Sequence, residues 1–110
     1  MPHIIIEHNI DEEELVKYAC KKLHGSLAKQ ETVKLESIKT RSVFVSSLIV
    51  GDGVKKDQFA HVTLKLLAGR DQKLKEKMSQ ALLDSLKLSL KSGNFSVEVC
   101  ELEAYTKTSL

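Results

Sequence analysis

The first apolar cluster is Ile4-Ile5-Ile6, with no polar residue inside it. An unbroken β-branched run fits a strand buried on both faces and predicts a strand over 2–7. Asn9 and Asp11 follow as candidate helix N-caps, and Asp11 with Glu14 has the spacing of a capping box. Glu12 and Glu13 suit the positive end of a helix dipole. Leu15, Ala19, Leu23 and Leu27 then recur at helical spacing, and Gly25-Ser26 weakens the end of that helix. Residues 28–37 are polar and read as a connection.

A second strand is predicted over 38–50, centred on Val43-Phe44-Val45 and Leu48-Ile49-Val50, with Gly51-Asp52-Gly53 as its stop. Residues 54–58 read as a loop and 59–67 as a third strand. Ala68-Gly69 breaks that strand, and Asp71 is placed to cap the next helix. Leu74, Met78, Ala81, Leu82, Ser85 and Leu86 form one face of this helix, lysines the other. Gly93 is the expected left-handed residue at its end. A fourth strand follows over 95–102, where Val97, Glu98 and Val99 alternate, and a short polar tail closes the chain.

The resulting order is β-α-β followed by β-α-β, each unit with a right-handed crossover. Pro2-His3-Ile4-Ile5-Ile6 and Ala60-His61-Val62-Thr63-Leu64 share a pattern, which suggests an internal duplication. Two helices pack on one face of a four-stranded sheet. Because the first two strands read as apolar on both parities, the uncovered face calls for a partner, and a homo-oligomer is expected.

With 110 residues the chain fits one domain spanning 1–110. Apolar residues make up 42% and charged residues 29%, a globular balance. A net charge of +2, without blocks of one sign, points away from nucleic acid or membrane as a partner. No segment reads as a signal peptide or membrane span, so the cytoplasm is the expected compartment. Cys20 and Cys100 are far apart and outside any CxxC pair, which reads as two reduced thiols.

Three features bear on chemistry. Met1 precedes a small residue, Pro2, a context in which the methionine is usually removed, leaving a secondary amine at the start of a buried strand. Such an amine titrates near 7.7–8.0, roughly, and nearby cations or desolvation lower that value, which suits a general base. Lys39 and Arg41 stand two apart on a strand and so share a face. Arg70 follows the third strand, where binding residues are often placed. Three converging cations bind carboxylates, and arginine does so with two parallel hydrogen bonds. Each feature also has a plain structural explanation: a start-codon accident, solvated edge residues, a helix start. His3, His8, His24 and His61 match no metal-site spacing and read as structural or surface residues.

Together these residues resemble a known family. Met1-Pro2-His3-Ile4-Ile5-Ile6-Glu7 is similar to the start of 5-carboxymethyl-2-hydroxymuconate isomerase, of the tautomerase superfamily that includes macrophage migration inhibitory factor and 4-oxalocrotonate tautomerase. Ile38-Lys39-Thr40-Arg41 resembles that family's basic strand. Asp52-Gly53, then Phe59-Ala60-His61-Val62-Thr63-Leu64-Lys65 and Ala68-Gly69-Arg70, form the most specific block. Val97-Glu98-Val99 and Glu101-Leu102 extend the match. The resemblance implies an α+β, tautomerase-like double β-α-β unit: a four-stranded mixed sheet with two helices on one face, assembled as a trimer with sites at subunit boundaries. It implies an isomerase of aromatic catabolism in which Pro2 moves a proton between carbons of a carboxylated dienol or enone. Arg70, Arg41 and Lys39 would hold carboxylates and stabilise the dienolate, with no cofactor or metal. The chain departs from the family in a shorter connection before the second strand, a shorter tail, and Lys39 where the family has arginine. Two alternatives stay open: a promiscuous keto-enol tautomerase, and a non-catalytic oligomeric binding module.

Overall fold

The computed structural model describes all 110 residues. Its elements are β1 (His3–His8), α1 (Glu13–Ala28), a 3-10 turn (Leu35–Ser37), β2 (Lys39–Phe44), β3 (Phe59–Leu67), α2 (Gln72–Leu90) and β4 (Asn94–Leu102). One sheet has the order β2-β1-β3-β4. β1 runs parallel to β2 and antiparallel to β3, and β3 runs parallel to β4. The fold is thus α+β, two β-α-β units sharing a mixed sheet.

Strand periodicity decides which side chains enter the core. Ile4, Ile6, Val62, Leu64 and Leu66 alternate toward the helices and are buried. They meet Ala19, Leu23 and Leu27 of α1 and Met78, Leu82 and Leu86 of α2 in one cluster. Each such fully buried aliphatic side chain contributes about 1.5–3 kcal/mol. Val16, rather than Leu15, is the first buried residue of α1, and the helix continues through Gly25 to Ala28. Asp71 caps α2 as its spacing implies, accepting from the Leu74 amide at 2.8 Å.

Four expectations are corrected. The N-cap of α1 is Glu12, with no side-chain cap hydrogen bond, so Asp11 and Glu14 form no capping box. Asn9 is no cap either: its Oδ1 accepts from the Phe59 amide (2.8 Å) and its Nδ2 donates to the Asp57 carbonyl (3.1 Å). β2 ends at Phe44, not at 50. It pairs with β1 alone, and β1 ends at His8, so the last rung is the Val45 amide on the His8 carbonyl (2.7 Å). Leu48, Ile49 and Val50 lie beyond it in irregular chain with substantial exposure. Third, the left-handed residue closing α2 is Lys91 (φ 72°), while Gly93 serves a different need. Gly93 has φ +144°, and a Cβ there would lie 2.5 Å from the Gln58 carbonyl oxygen, in the crossing where the Asn94 amide donates to that same oxygen.

The fourth correction concerns the uncovered face. Registers place His3, Ile5 and Glu7 beside Lys39, Arg41 and Val43 on one side and beside Lys65, Thr63 and His61 on the other, and these last beside Cys100, Glu98 and Ser96. This face is largely polar: apart from Ile5 and Val43, these positions carry charged, imidazole, hydroxyl or thiol side chains. Cys20, packed against the core from α1, and Cys100, on this open face, are both free thiols on opposite sides of the sheet.

The two glycines test these assignments. Gly93→Ala should lower stability by about 2 kcal/mol or more through strain and close contact. Gly25→Ala, in open space within α1, should raise it by roughly 0.5–1 kcal/mol. Urea midpoints of the two variants check both signs.

Candidate active site

The start of the chain lies between two strands. The Pro2 side chain is fully buried, and its carbonyl accepts from the Lys39 amide at 3.0 Å. That bond extends the β1–β2 ladder by one residue and fixes the Pro2 ring against the beginning of β2. Met1 precedes it, so the Pro2 nitrogen is a peptide nitrogen and the terminal amine belongs to Met1.

Cations converge on this terminus from three directions. The Met1 amine is held below its ordinary pKa, first by partial burial and then by Arg70, Lys107 and Lys39. Arg70 comes from the β3–α2 turn, Lys39 from the first residue of β2, and Lys107 from the tail. None of the four ion pairs of the protein uses Lys39, Arg41, Arg70 or Lys107. Their positive charge is therefore left uncompensated by protein carboxylates, which is the electrostatic condition for attracting an anion.

Arg70 is partly committed. Its Nε donates to the Thr32 hydroxyl (2.9 Å) and its Nη2 to the Thr32 carbonyl (3.1 Å), with a longer contact from Nη1 to the Leu67 carbonyl (3.5 Å). Thr32 has φ 69°, an unfavourable conformation for a β-branched residue, so Arg70 braces a strained turn in the α1–β2 connection.

Arg41 lies one step from the amine and faces His3. Its Nη1 is 3.1 Å from His3 Nδ1, and Tyr105 Oη is 2.9 Å from His3 Nε2. Guanidinium only donates, so Nδ1 is the acceptor and the neutral ring carries its proton on Nε2, donating to Tyr105. The Tyr105 ring stands edge-on to the imidazole, with centroids 5.5 Å apart at 77°. Burial, then Arg41, Lys39, the terminal amine and Lys65 hold the His3 pKa below its ordinary value.

Lys39 and Arg70 thus meet at the start of the chain, and Arg41 adjoins it through His3. Reading the histidines as structural or surface residues missed His3. Tyr105 and Lys107 were missed because a polar tail carries no periodicity that would bring it back to the first residues. The other histidines do structural work. His8 is buried and its Nδ1 accepts from the Ile10 amide (3.1 Å), while His24 bonds the Thr40 hydroxyl (2.7 Å). His61 bridges Ser96 (2.6 Å) and Glu98 (2.7 Å) on the open sheet face. No group of three or more His, Cys, Asp or Glu side chains is placed to hold a metal ion.

What this geometry offers is a cluster of cations at a chain terminus, able to bind carboxylates and to hold a terminal amine below its ordinary pKa. Known proteins share its framework. A family model described as 5-carboxymethyl-2-hydroxymuconate isomerase matches residues 2–103. The fold is similar to a 5-carboxymethyl-2-hydroxymuconate isomerase from Deinococcus radiodurans R1, with TM-score 0.82 and 23% identity over 98% of this chain and 90% of that one. It is similar to a fused 4-OT protein, solved as a wild-type symmetric trimer, with TM-score 0.77 and 19% identity over 91% of this chain and 85% of that one. A macrophage migration inhibitory factor-like protein from Entamoeba histolytica gives TM-score 0.72 and 21% identity over 92% and 88%. No curated protein sequence matches.

The His3 arrangement makes a titration prediction. The His3 imidazole should titrate below about 6.5. Arg41→Met should move its midpoint upward, because a neighbouring cation disfavours protonation. Two-dimensional NMR of the imidazole resonances across pH 4–8, roughly, reads both values; an unchanged midpoint in the variant would exclude the Arg41–His3 contact.

Proposed function

The chain belongs to the 5-carboxymethyl-2-hydroxymuconate isomerase family and is an isomerase with the tautomerase fold, and from that premise we propose that its catalyst is the free secondary amine of Pro2 after removal of Met1. The observation that carries this reading is a fully buried Pro2, pinned by its carbonyl to Lys39 at a terminus on which Arg70, Lys107 and Lys39 all act. A Pro2 amine would lie one residue deeper than the Met1 amine, among the same cations. Desolvation and positive neighbours both lower an amine's pKa, which favours the free-base form that the chemistry needs.

The reaction follows from that base. Pro2 nitrogen takes a proton from a carbon adjacent to the carbonyl system of a carboxylated enone or dienol. The electron pair spreads into a dienolate, whose negative charge the cations stabilise more strongly than the neutral ground state. The same nitrogen then returns the proton to a different carbon of the conjugated system. Arg70 and Lys39 hold substrate carboxylates, and Arg41, oriented by His3, extends this basic wall. The substrate we propose is 5-carboxymethyl-2-hydroxymuconate or a close relative, in cytoplasmic catabolism of aromatic compounds. Lys39 is a point charge without arginine's fork, which favours smaller carboxylated enols as second substrates.

We further propose a homo-oligomer, and specifically a trimer. Support comes from helices on only one sheet face, from the exposure of Ile49 (81%) and Val54 (77%) in the segment between β2 and β3, and from the symmetric trimer formed by a similarly folded protein. No helix is long and apolar enough to cross a membrane.

Two measurements test this function. In protein whose intact mass shows Met1 absent, Pro2→Ala should cut kcat by roughly 100-fold or more with hydroxymuconate substrates, the scale of lost general-base catalysis. Equal rates would remove Pro2 from the chemistry, and no turnover by the processed wild type would favour a binding module. The kcat/KM profile should rise with pH through a midpoint below about 8, and Arg70→Ala should move that limb upward while raising KM. By sedimentation equilibrium, the assembled mass should be three times the 12.3 kDa subunit.

A further inference from the structure

The C-terminal tail is the part of the molecule that neither the family match, which ends at residue 103, nor the base mechanism requires. It nevertheless returns to the first residues of the chain at two points. Tyr105 is hydrogen-bonded and ring-packed on His3, and two residues on, the Lys107 ammonium donates to the Met1 sulfur at 3.2 Å. Tyr105 is half-buried in this contact, whereas the residues around it are exposed. The tail is therefore clasped at His3 and presents Lys107 over the chain terminus.

The partner of Lys107 is a poor one. A thioether is a weak acceptor and leaves an ammonium with most of its hydrogen-bonding capacity and all of its charge unanswered. Lys107 forms no ion pair. Loss of Met1 removes even this contact and leaves the ammonium without a partner at this end of the chain. The other cations are less free than they look. Arg70 spends Nε and Nη2 on Thr32, and Arg41 spends Nη1 on His3. Lys39 offers a single point charge. A substrate with two or more carboxylates on a conjugated chain gains from an anchor that no other group occupies, and the tail supplies one.

We propose that Lys107 is a further substrate-binding residue, a tail-borne cation that takes one carboxylate of a dicarboxylated enol beside Pro2 once Met1 has been removed. This rests on the reading of Pro2 as the processed terminus, and adds Lys107 to Arg70 and Lys39 as a carboxylate-binding residue. Tyr105 is a positioning residue that acts through His3: without its clasp the same lysine is present but is no longer held over the site. The ammonium also disfavours protonation of the neighbouring amine, in line with its effect on the Met1 amine. The groups facing that amine are Arg70 from the β3–α2 turn, Lys39 from β2 and Lys107 from the tail, all positive.

The experiment uses full-length protein whose mass shows Met1 absent, with adipate as a stable dicarboxylate probe and hexanoate as its monocarboxylate counterpart. By calorimetry, Lys107→Met should weaken adipate binding about ten-fold and leave hexanoate within about two-fold, and Lys107→Arg should restore adipate binding. Tyr105→Phe, which keeps the ring but removes the hydroxyl, should give a smaller loss for adipate alone. By NMR, the midpoint of the Pro2 amine should rise in Lys107→Met. Adipate affinity and amine midpoint unchanged in Lys107→Met would overturn the proposal, as would a wild-type protein that does not distinguish adipate from hexanoate. The base reading fails separately, if Pro2→Ala turns over substrate at the wild-type rate, because neither binding nor the titration of Lys107 variants depends on turnover.

Discussion

The site depends on the hydrogen bond from the Lys39 amide to the Pro2 carbonyl. It is the first rung of a ladder that continues from His3 opposite Lys39 to His8 opposite Phe44. Because β1 is an inner strand, flanked by β2 on one side and β3 on the other, the chain terminus is held by two neighbours. A terminus on an edge strand would fray into water, and its amine would titrate as in a peptide. Here the second residue is buried, and the strand ends that surround it bring their own cations. Both neighbours of β1 lie far along the chain, so the cations gather there only after non-local pairing, including the antiparallel join between the two β-α-β halves, is complete.

The positive charge there is concentrated by omission. The carboxylates that do pair with cations do so elsewhere: Glu13 and Glu14 with Lys17 on α1, and Glu101 with Lys75 at the sheet edge. Exposed pairs of this kind contribute little stability. Their absence around Lys39, Arg41, Arg70 and Lys107 leaves a local potential unspent. Glu98, the acid that edge strand β4 places on the open face, is instead occupied by His61, whose hydrogen bond, with a lesser one from Cys100, keeps it below the usual carboxylate range. That acid therefore stays ionised in place, and the basic character of the open face is graded from β2 to β4.

Most of the architecture was legible because period-two and period-3.6 patterns report directly on burial. β3 falls at the residues its alternation marks, and α2 begins at the cap that Asp71 provides. β2 was overextended because Leu48-Ile49-Val50 looks like a strand by propensity, whereas strand length is set by the partner, and β1 had already ended. The apolar reading of the open face failed for the same reason: those three residues were counted into a sheet they do not join. Lys39, Arg41 and Arg70 could be read as a set from spacing and from the family resemblance. His3, Tyr105 and Lys107 could not, since their association is a contact across more than a hundred residues with no local signature.

Asn9 makes a backbone-like double connection, accepting from Phe59 and donating to Asp57, while its own amide reaches the Phe59 carbonyl. The end of β1 is thereby locked to the beginning of β3 through Phe59 and the adjoining Asp57, without help from residues 46–56 between β2 and β3. That segment is mechanically insulated: its length and sequence can change without transmitting a shift in register to the inner strands. It is the place where the fold tolerates insertion, and hence where relatives of this chain have freedom to acquire new surfaces while the geometry around Pro2 stays fixed.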